Sequence, residues 1–127
     1  MPDAFEDAVQ LHQSGRLHDA IQLYQALLTS NQTNAQLLYL TGTACAQVGN
    51  NELGIELLAR SLHIFPENLY ALNNLGVALQ ACTRLDEALD TLNKAIAFNP
   101  DYADAHNNRG NVLRDLNRLH DSFASYN

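Results

Sequence analysis

Gly42, Gly76 and Gly110 stand 34 residues apart, and Pro66 and Pro100 keep the same interval. Between these markers the apolar residues fall twice per period into a helical stripe, with a short polar turn between the two. A fixed period of this size, one helical pair per unit, is the sequence signature of a solenoid. Each unit cannot bury its apolar face alone and borrows a core from its neighbours. The register runs without insertion through units at residues 1–34, 35–68 and 69–102 and a partial fourth at 103–127. It predicts one all-α array covering the whole chain.

In the first unit Ala4, Ala8 and Leu11 share a helical face, Ser14-Gly15-Arg16 breaks the pattern, and Leu17, Ala20, Ile21, Tyr24, Leu27 and Leu28 form the second stripe. Gly15 suits a left-handed helix end. The exit turn has Gln32 where later units have proline, which predicts a less rigid turn. In the second unit Leu38, Gly42 and Cys45 repeat the first stripe. Gly49-Asn50-Asn51 turns the chain, and Phe65-Pro66 ends a stripe through Leu53, Gly54, Leu57, Leu58 and Leu62. Gly54, Ala20 and Ala88 occupy one repeat position, where a small residue allows two helices to cross closely. Tyr24, Leu58, Leu92 and Tyr126 share another and are assigned to the core. In the fourth unit Gly110 and Leu113 recur on schedule, Leu119 is expected to start a second helix, and Ser122 takes the small-residue site.

A net charge of −7, with 14 acidic residues against 7 basic, argues against nucleic acid, because phosphate binding needs clustered Lys and Arg. The first ten residues lack the basic-then-apolar layout of a signal peptide. No apolar run approaches the ~18–20 residues of a membrane span. With Cys45 and Cys82 the only cysteines, a reduced cytoplasmic setting is the expectation. The five histidines form no metal-binding spacing, the cysteines no Cys-x-x-Cys pair, and the glycines no phosphate-cradling loop. No enzyme site, metal or cofactor is predicted.

Leu75-Gly76, Leu79, Ala88, Leu92, Ala95 and Pro100 of the third unit resemble the tetratricopeptide repeat family. Gly42, Gly54, Leu58 and Pro66 before them, and Gly110, Leu113 and Tyr126 after them, continue the match. Departures are Ala4 in place of a large aromatic, Asp7 and Thr41 in place of apolar residues, and Gln32 in place of proline. The resemblance implies a right-handed α-solenoid whose first helices line a concave groove that binds peptides or protein partners. Ala71-Leu72-Asn73-Asn74-Leu75-Gly76 and Ala105-His106-Asn107-Asn108-Arg109-Gly110 are further similar to repeats preceding O-linked N-acetylglucosamine transferase-type catalytic domains. That likeness implies an alternative role as the targeting arm of a larger enzyme.

At ~100° per residue, Leu72, Leu75, Gly76 and Leu79 form one stripe of the third unit's first helix. Tyr70, Asn73, Asn74, Val77, Gln80 and Ala81 fall on the opposite face. The fourth-unit equivalents include Asn107, Asn108 and Asn111. An amide is donor and acceptor at once, so Asn74 and Asn108 can pair with a peptide backbone in both directions. The resemblance assigns asparagines at this position that task, and the bland reading leaves them solvated and idle. Tyr39 and Tyr70 are either aromatic anchors for a peptide or packing between adjacent first helices. A basic clamp for a partner's C-terminal carboxylate is not predicted, because the groove positions hold Phe5, Val9, Leu40, Tyr70 and Asn74 rather than cations. Finally, Leu113, Leu116, Leu119, Phe123 and Tyr126 lie where no following helix covers them. This predicts self-association through the C-terminal end, since terminal units need a polar cap.

Overall fold

A computed structural model describes the backbone from residue 3 to residue 125 and side-chain surroundings to residue 120. The described residues form seven helices and no strands: α1 (Ala4–Gln13), α2 (Leu17–Leu28), α3 (Ala35–Gln47), α4 (Asn51–Ile64), α5 (Leu69–Ala81), α6 (Leu85–Phe98) and α7 (Ala103–Ser125). Each helix packs on the next in sequence, and α3, α5 and α7 also meet side by side. The result is an all-α solenoid.

The tight turns inside the pairs explain the register. After α1 the chain closes with Gly15 N–H on the His12 carbonyl and Arg16 N–H on that of Leu11, at 3.1 and 2.9 Å. The same pair of bonds recurs at Gly49 and Asn50, and at Thr83 and Arg84. This hydrogen-bonded helix end requires a residue of positive φ. Gly15 and Gly49 supply it at φ +82° and +93°, and Thr83 adopts it at +61° despite its β-branched side chain. Starts are set by asparagine: Asn34 accepts from Leu37 N–H, Asn50 from Leu53 N–H, and Asn68 from both Tyr70 and Ala71 N–H. Where Gln32 stands in place of proline, α2 ends at Leu28, two residues earlier in register than α4 at Ile64.

The core keeps the period of the repeat. Tyr24, Leu58 and Leu92 are fully buried, as are Ala20, Ala88 and Ala95. The small-residue rule has a geometric cause at two positions. A Cβ on Gly54 would come within 3.0 Å of the Gly42 carbonyl oxygen, and one on Gly76 within 2.6 Å of Leu92 Cγ. Cys45 is buried and Cys82 half-buried. Burial raises the Cys45 thiol pKa, which disfavours the thiolate.

The fourth unit corrects one expectation. Leu119 does not begin a second helix, because α7 continues from Ala103 through Ser125 without a turn. A turn forms only where the helix after it packs well enough to offset the broken backbone bonds. In register, Leu119 matches Leu85, but Ser122 stands where α6 has the buried Ala88. Leu113 and Leu119 are left exposed and Leu116 half-buried. The Phe123 side chain and Tyr126 lie outside the described residues.

Candidate functional site

The first helices are stitched to one another by side chains, and the stitching defines the face opposite the core stripe. Between α1 and α3, His12 Nε2–H donates to Gln47 Oε1 at 2.7 Å, which leaves Nδ1 to accept from the Tyr24 hydroxyl at 3.0 Å. Between α3 and α5, Asn74 Nδ2 donates to Thr43 Oγ1 at 3.1 Å. Between α5 and α7, Asn108 Nδ2 donates to Asn73 Oδ1 at 2.9 Å, and Gln80 Nε2 to Asp115 Oδ2 at 2.9 Å. Three of these contacts join residues 35 apart, one repeat plus one residue, so a 34-residue register brings them together as a matter of geometry.

The predicted residues divide three ways along this seam. Asn74 and Asn108 are half-buried, and each commits one amide N–H to the neighbouring first helix, keeping its oxygen and second N–H for other use. Asn73 is 8% exposed, so it is a bracket between α5 and α7 more than an open surface group. Asn107 is exposed, and Asn111 accepts from Arg114 one turn along its own helix. A cavity of about 210 Å³ sits at the α3–α5 seam, lined by Thr43, Ala46, Gln47, Asn74 and Val77 among others. Val77 is an exposed apolar wall of it.

The aromatic end of the face holds a residue that sequence reasoning misses. Tyr70 is 65% exposed and meets Tyr102 edge-to-face, with ring centroids 6.1 Å apart at 70°. Tyr102 stands at the repeat position of the helix-capping Asn34 and Asn68. An aromatic in a capping position is the signal that could have found it. Tyr39 is half-buried against the core, and its hydroxyl pKa is raised by burial and then by proximity to Tyr70. Tyr102 is raised by burial, then by Asp104, Tyr70 and Tyr39. The three tyrosines, from α3, α5 and the turn into α7, are therefore neighbours. No group of three or more His, Cys, Asp or Glu side chains among the described residues is placed to hold a metal ion. No helix among them is long and apolar enough to cross a membrane.

Comparison with known families matches residues 8–68 to a pattern described as "Tetratricopeptide repeat" and residues 83–127 to one described as "TPR repeat". The chain belongs to the tetratricopeptide repeat family. Among curated relatives, it is 31% identical over 103 residues to the probable UDP-N-acetylglucosamine–peptide N-acetylglucosaminyltransferase SPINDLY of Solanum lycopersicum. That match covers 81% of this chain and 11% of the relative. It is 30% identical over 101 residues to the PEX5-related protein of Homo sapiens, covering 80% of this chain and 16% of the relative. The chain thus spans a small part of either protein. Among solved structures, the first TPR of Spaghetti (RPAP3) bound to an HSP90 peptide superposes with a TM-score of 0.85 at 17% identity. It covers 89% of this chain and 90% of that one. That likeness speaks to the fold.

Proposed function

We propose that this tetratricopeptide array is a non-catalytic scaffold that binds an extended peptide segment of a protein partner along the first-helix face, from Tyr39 and Tyr70 to Asn111. The observation that carries the reading is the seam itself. Asn74 and Asn108 are each fixed by one hydrogen bond to the adjacent first helix, so their remaining amide groups are pre-oriented beside the exposed Tyr70 and Val77. Groups held in place before binding lose little entropy on binding. Amides of this kind grip backbone, and the tyrosines supply area.

The ligand class differs from that of the solved neighbour, whose bound peptide, SRMEEVD, ends in acidic residues. An acidic tail needs cations in the groove. Here the corresponding positions are Tyr39, Thr43, Asn74, Asp104 and Asn108, and the chain carries −7 overall. A neutral or basic segment is the fitting partner, through long-range steering as well as contact. No nucleic-acid, membrane or cofactor role is assigned. A reducing cytoplasmic setting accords with two cysteines that remain unpaired.

The test is titration of immobilised neutral, basic and acidic peptide arrays with the chain and with an Asn74→Ala/Asn108→Ala variant. Binding confined to neutral or basic peptides and weakened by about 1–3 kcal/mol in the variant is the expected result. Unchanged binding by the variant leaves the asparagines a purely structural role between first helices. The likeness to SPINDLY favours a second reading, in which the array is the targeting arm of a larger glycosyltransferase. A catalytic domain in the same reading frame beyond residue 127 supports that reading, and a stop codon there overturns it.

A further inference from the structure

Thr43 of α3 and Asn74 of α5 stand 31 residues apart and are hydrogen-bonded at 3.1 Å. Tyr39 and Tyr70 lie one helical turn earlier on the same two helices, with the same 31-residue separation. Their side chains therefore share the face of that bond and lie beside each other across the seam. Tyr102, in the turn into α7, completes the group, with its ring 6.1 Å from that of Tyr70 and inclined at 70°. Two rings at such an angle form a corner, and Tyr70, 65% exposed, leaves most of its surface to solvent. Asp104 holds the register position of Tyr70 on the adjacent first helix, 34 residues on, and is exposed. Its charge reaches the group, since the Tyr102 hydroxyl pKa is raised by burial first and by Asp104 next.

The face of an aromatic ring carries negative potential and attracts a cation within about 6 Å of its centre. Among the described residues, the neighbouring elements supply no such cation. Neither α3 nor α5 contains a charged residue. The basic groups at the start of α7 are engaged elsewhere: His106 Nε2–H donates to the Pro100 carbonyl at 2.6 Å, and Arg109 to Asn93 of α6 at 3.1 Å. Asp104 has no salt-bridge partner among the described residues. We infer that Tyr39, Tyr70, Tyr102 and Asp104 form a seat for one arginine side chain of the bound peptide, an assignment that rests on the peptide-binding role proposed above. A guanidinium is planar, so it stacks on a tyrosine ring while the N–H groups along its edge pair with a carboxylate, here that of Asp104. A lysine ammonium is more strongly hydrated and has no planar fork, which makes it the weaker occupant. The seat lies one turn from Asn74, so a peptide backbone gripped by the amide seam carries a side chain past it.

The probes are capped alanine pentapeptides whose central residue is arginine, citrulline or lysine. Citrulline keeps the shape of arginine without its charge. Titrated at low salt into the isotope-labelled chain and followed by nuclear magnetic resonance, the arginine peptide is expected to shift the Tyr70, Tyr102 and Asp104 signals saturably. Its own δ-methylene protons should move upfield under the tyrosine ring currents. Citrulline is expected to bind about five- to tenfold more weakly, with lysine between the two. Tyr70→Leu and Asp104→Asn should each weaken the arginine peptide about threefold or more, whereas Tyr70→Phe, which keeps the ring, should retain it. These substitutions change exposed side chains, so the helical circular dichroism should be unaltered. Citrulline binding as tightly as arginine, or an arginine affinity indifferent to Tyr70→Leu, overturns the arginine seat and leaves the groove reading standing. No shift with any of the three peptides also overturns the seat, and the peptide arrays then decide the groove reading on their own.

Discussion

In α5 a Cβ on Gly76 would lie 2.6 Å from Leu92 Cγ, whereas the same position of α7, Gly110, has open space around it. The turns expected after these helices differ in the opposite sense from what residue type suggests. Thr83 is a poor residue for positive φ and adopts it at +61°, while Asn117, a residue that tolerates the left-handed region, stays inside α7. The comparison teaches that the turn is decided by the packing of the segment beyond it. Leu85, Ala88, Leu92 and Ala95 of α6 are buried, and their packing outweighs the strain at Thr83. Past Asn117, Leu119 is left exposed, and the default of the backbone, continued helix, wins.

The strongest way to break this comparison is to remove the residue that crosses the glycine. Leu92→Ala deletes a fully buried side chain and leaves a cavity against Gly76, an expected loss of about 2–5 kcal/mol in urea unfolding. Leu119→Ala removes a side chain 51% exposed and is expected to change stability by no more than about 0.5 kcal/mol. Comparable losses at the two sites would mean that Leu119 is packed as tightly as Leu92.

The glycines themselves sharpen the contrast by a change of sign. Gly76→Ala forces a methyl against a buried Leu92, with an expected cost of about 1–3 kcal/mol from overpacking. Gly110→Ala adds a methyl to open space and removes a flexible residue from a helix interior. Its expected effect is a gain of about 0.5–1 kcal/mol. Matched thermal melts of the two variants read the difference directly.

The same physics decides how much of the molecule is legible in the sequence. The pairing, the small-residue positions and the buried Tyr24, Leu58 and Leu92 come from a period that geometry enforces through the first three units. The straight α7 is not visible in that period, because Asn117 permits a turn and only the sum of later contacts decides whether one forms. Asn73 and Asn74 read as equivalent members of one face. A one-residue step of ~100° sends Asn73 between α5 and α7 and leaves Asn74 half-exposed at the α3 seam. Tyr102 escapes notice because its position elsewhere holds a capping asparagine, so the register marks it for a backbone role.

That distinction between bracket and surface gives a smaller, separable effect. Asn108→Ala removes the donor to Asn73 Oδ1, and because Asn73 is 8% exposed the expected loss is about 1 kcal/mol of stability even without ligand. Asn74→Ala faces Thr43, whose hydroxyl can turn to water, and is expected to cost less than Asn108→Ala. Urea midpoints of the two variants, read before any peptide is added, distinguish structural from binding losses. An Asn74 loss exceeding that of Asn108 would reverse the assignment of bracket and surface.

The smallest effect sits at the entrance of α6, on the closed side of the comparison. Arg84 bridges Glu87 at 2.7 Å, one turn into the helix, and both side chains are substantially exposed. The hydrogen bond and charge of Arg84 hold the Glu87 carboxyl below its usual pKa. A carboxylate whose folded pKa is lowered adds stability above its unfolded value and loses it as pH falls through the folded one. Glu87→Gln should therefore separate from the parent chain most at neutral pH, and the two should converge in acid. Because water screens an exposed pair, the separation should stay well below that of Leu92→Ala and shrink further in high salt. The same pairing recurs between Arg16 and Asp19 at the start of α2, also at 2.7 Å and exposed. If either pair rivalled Leu92 in a melt, the second helices would be held by their entrance charges, and packing across the glycine would no longer explain why Thr83 turns and Asn117 does not.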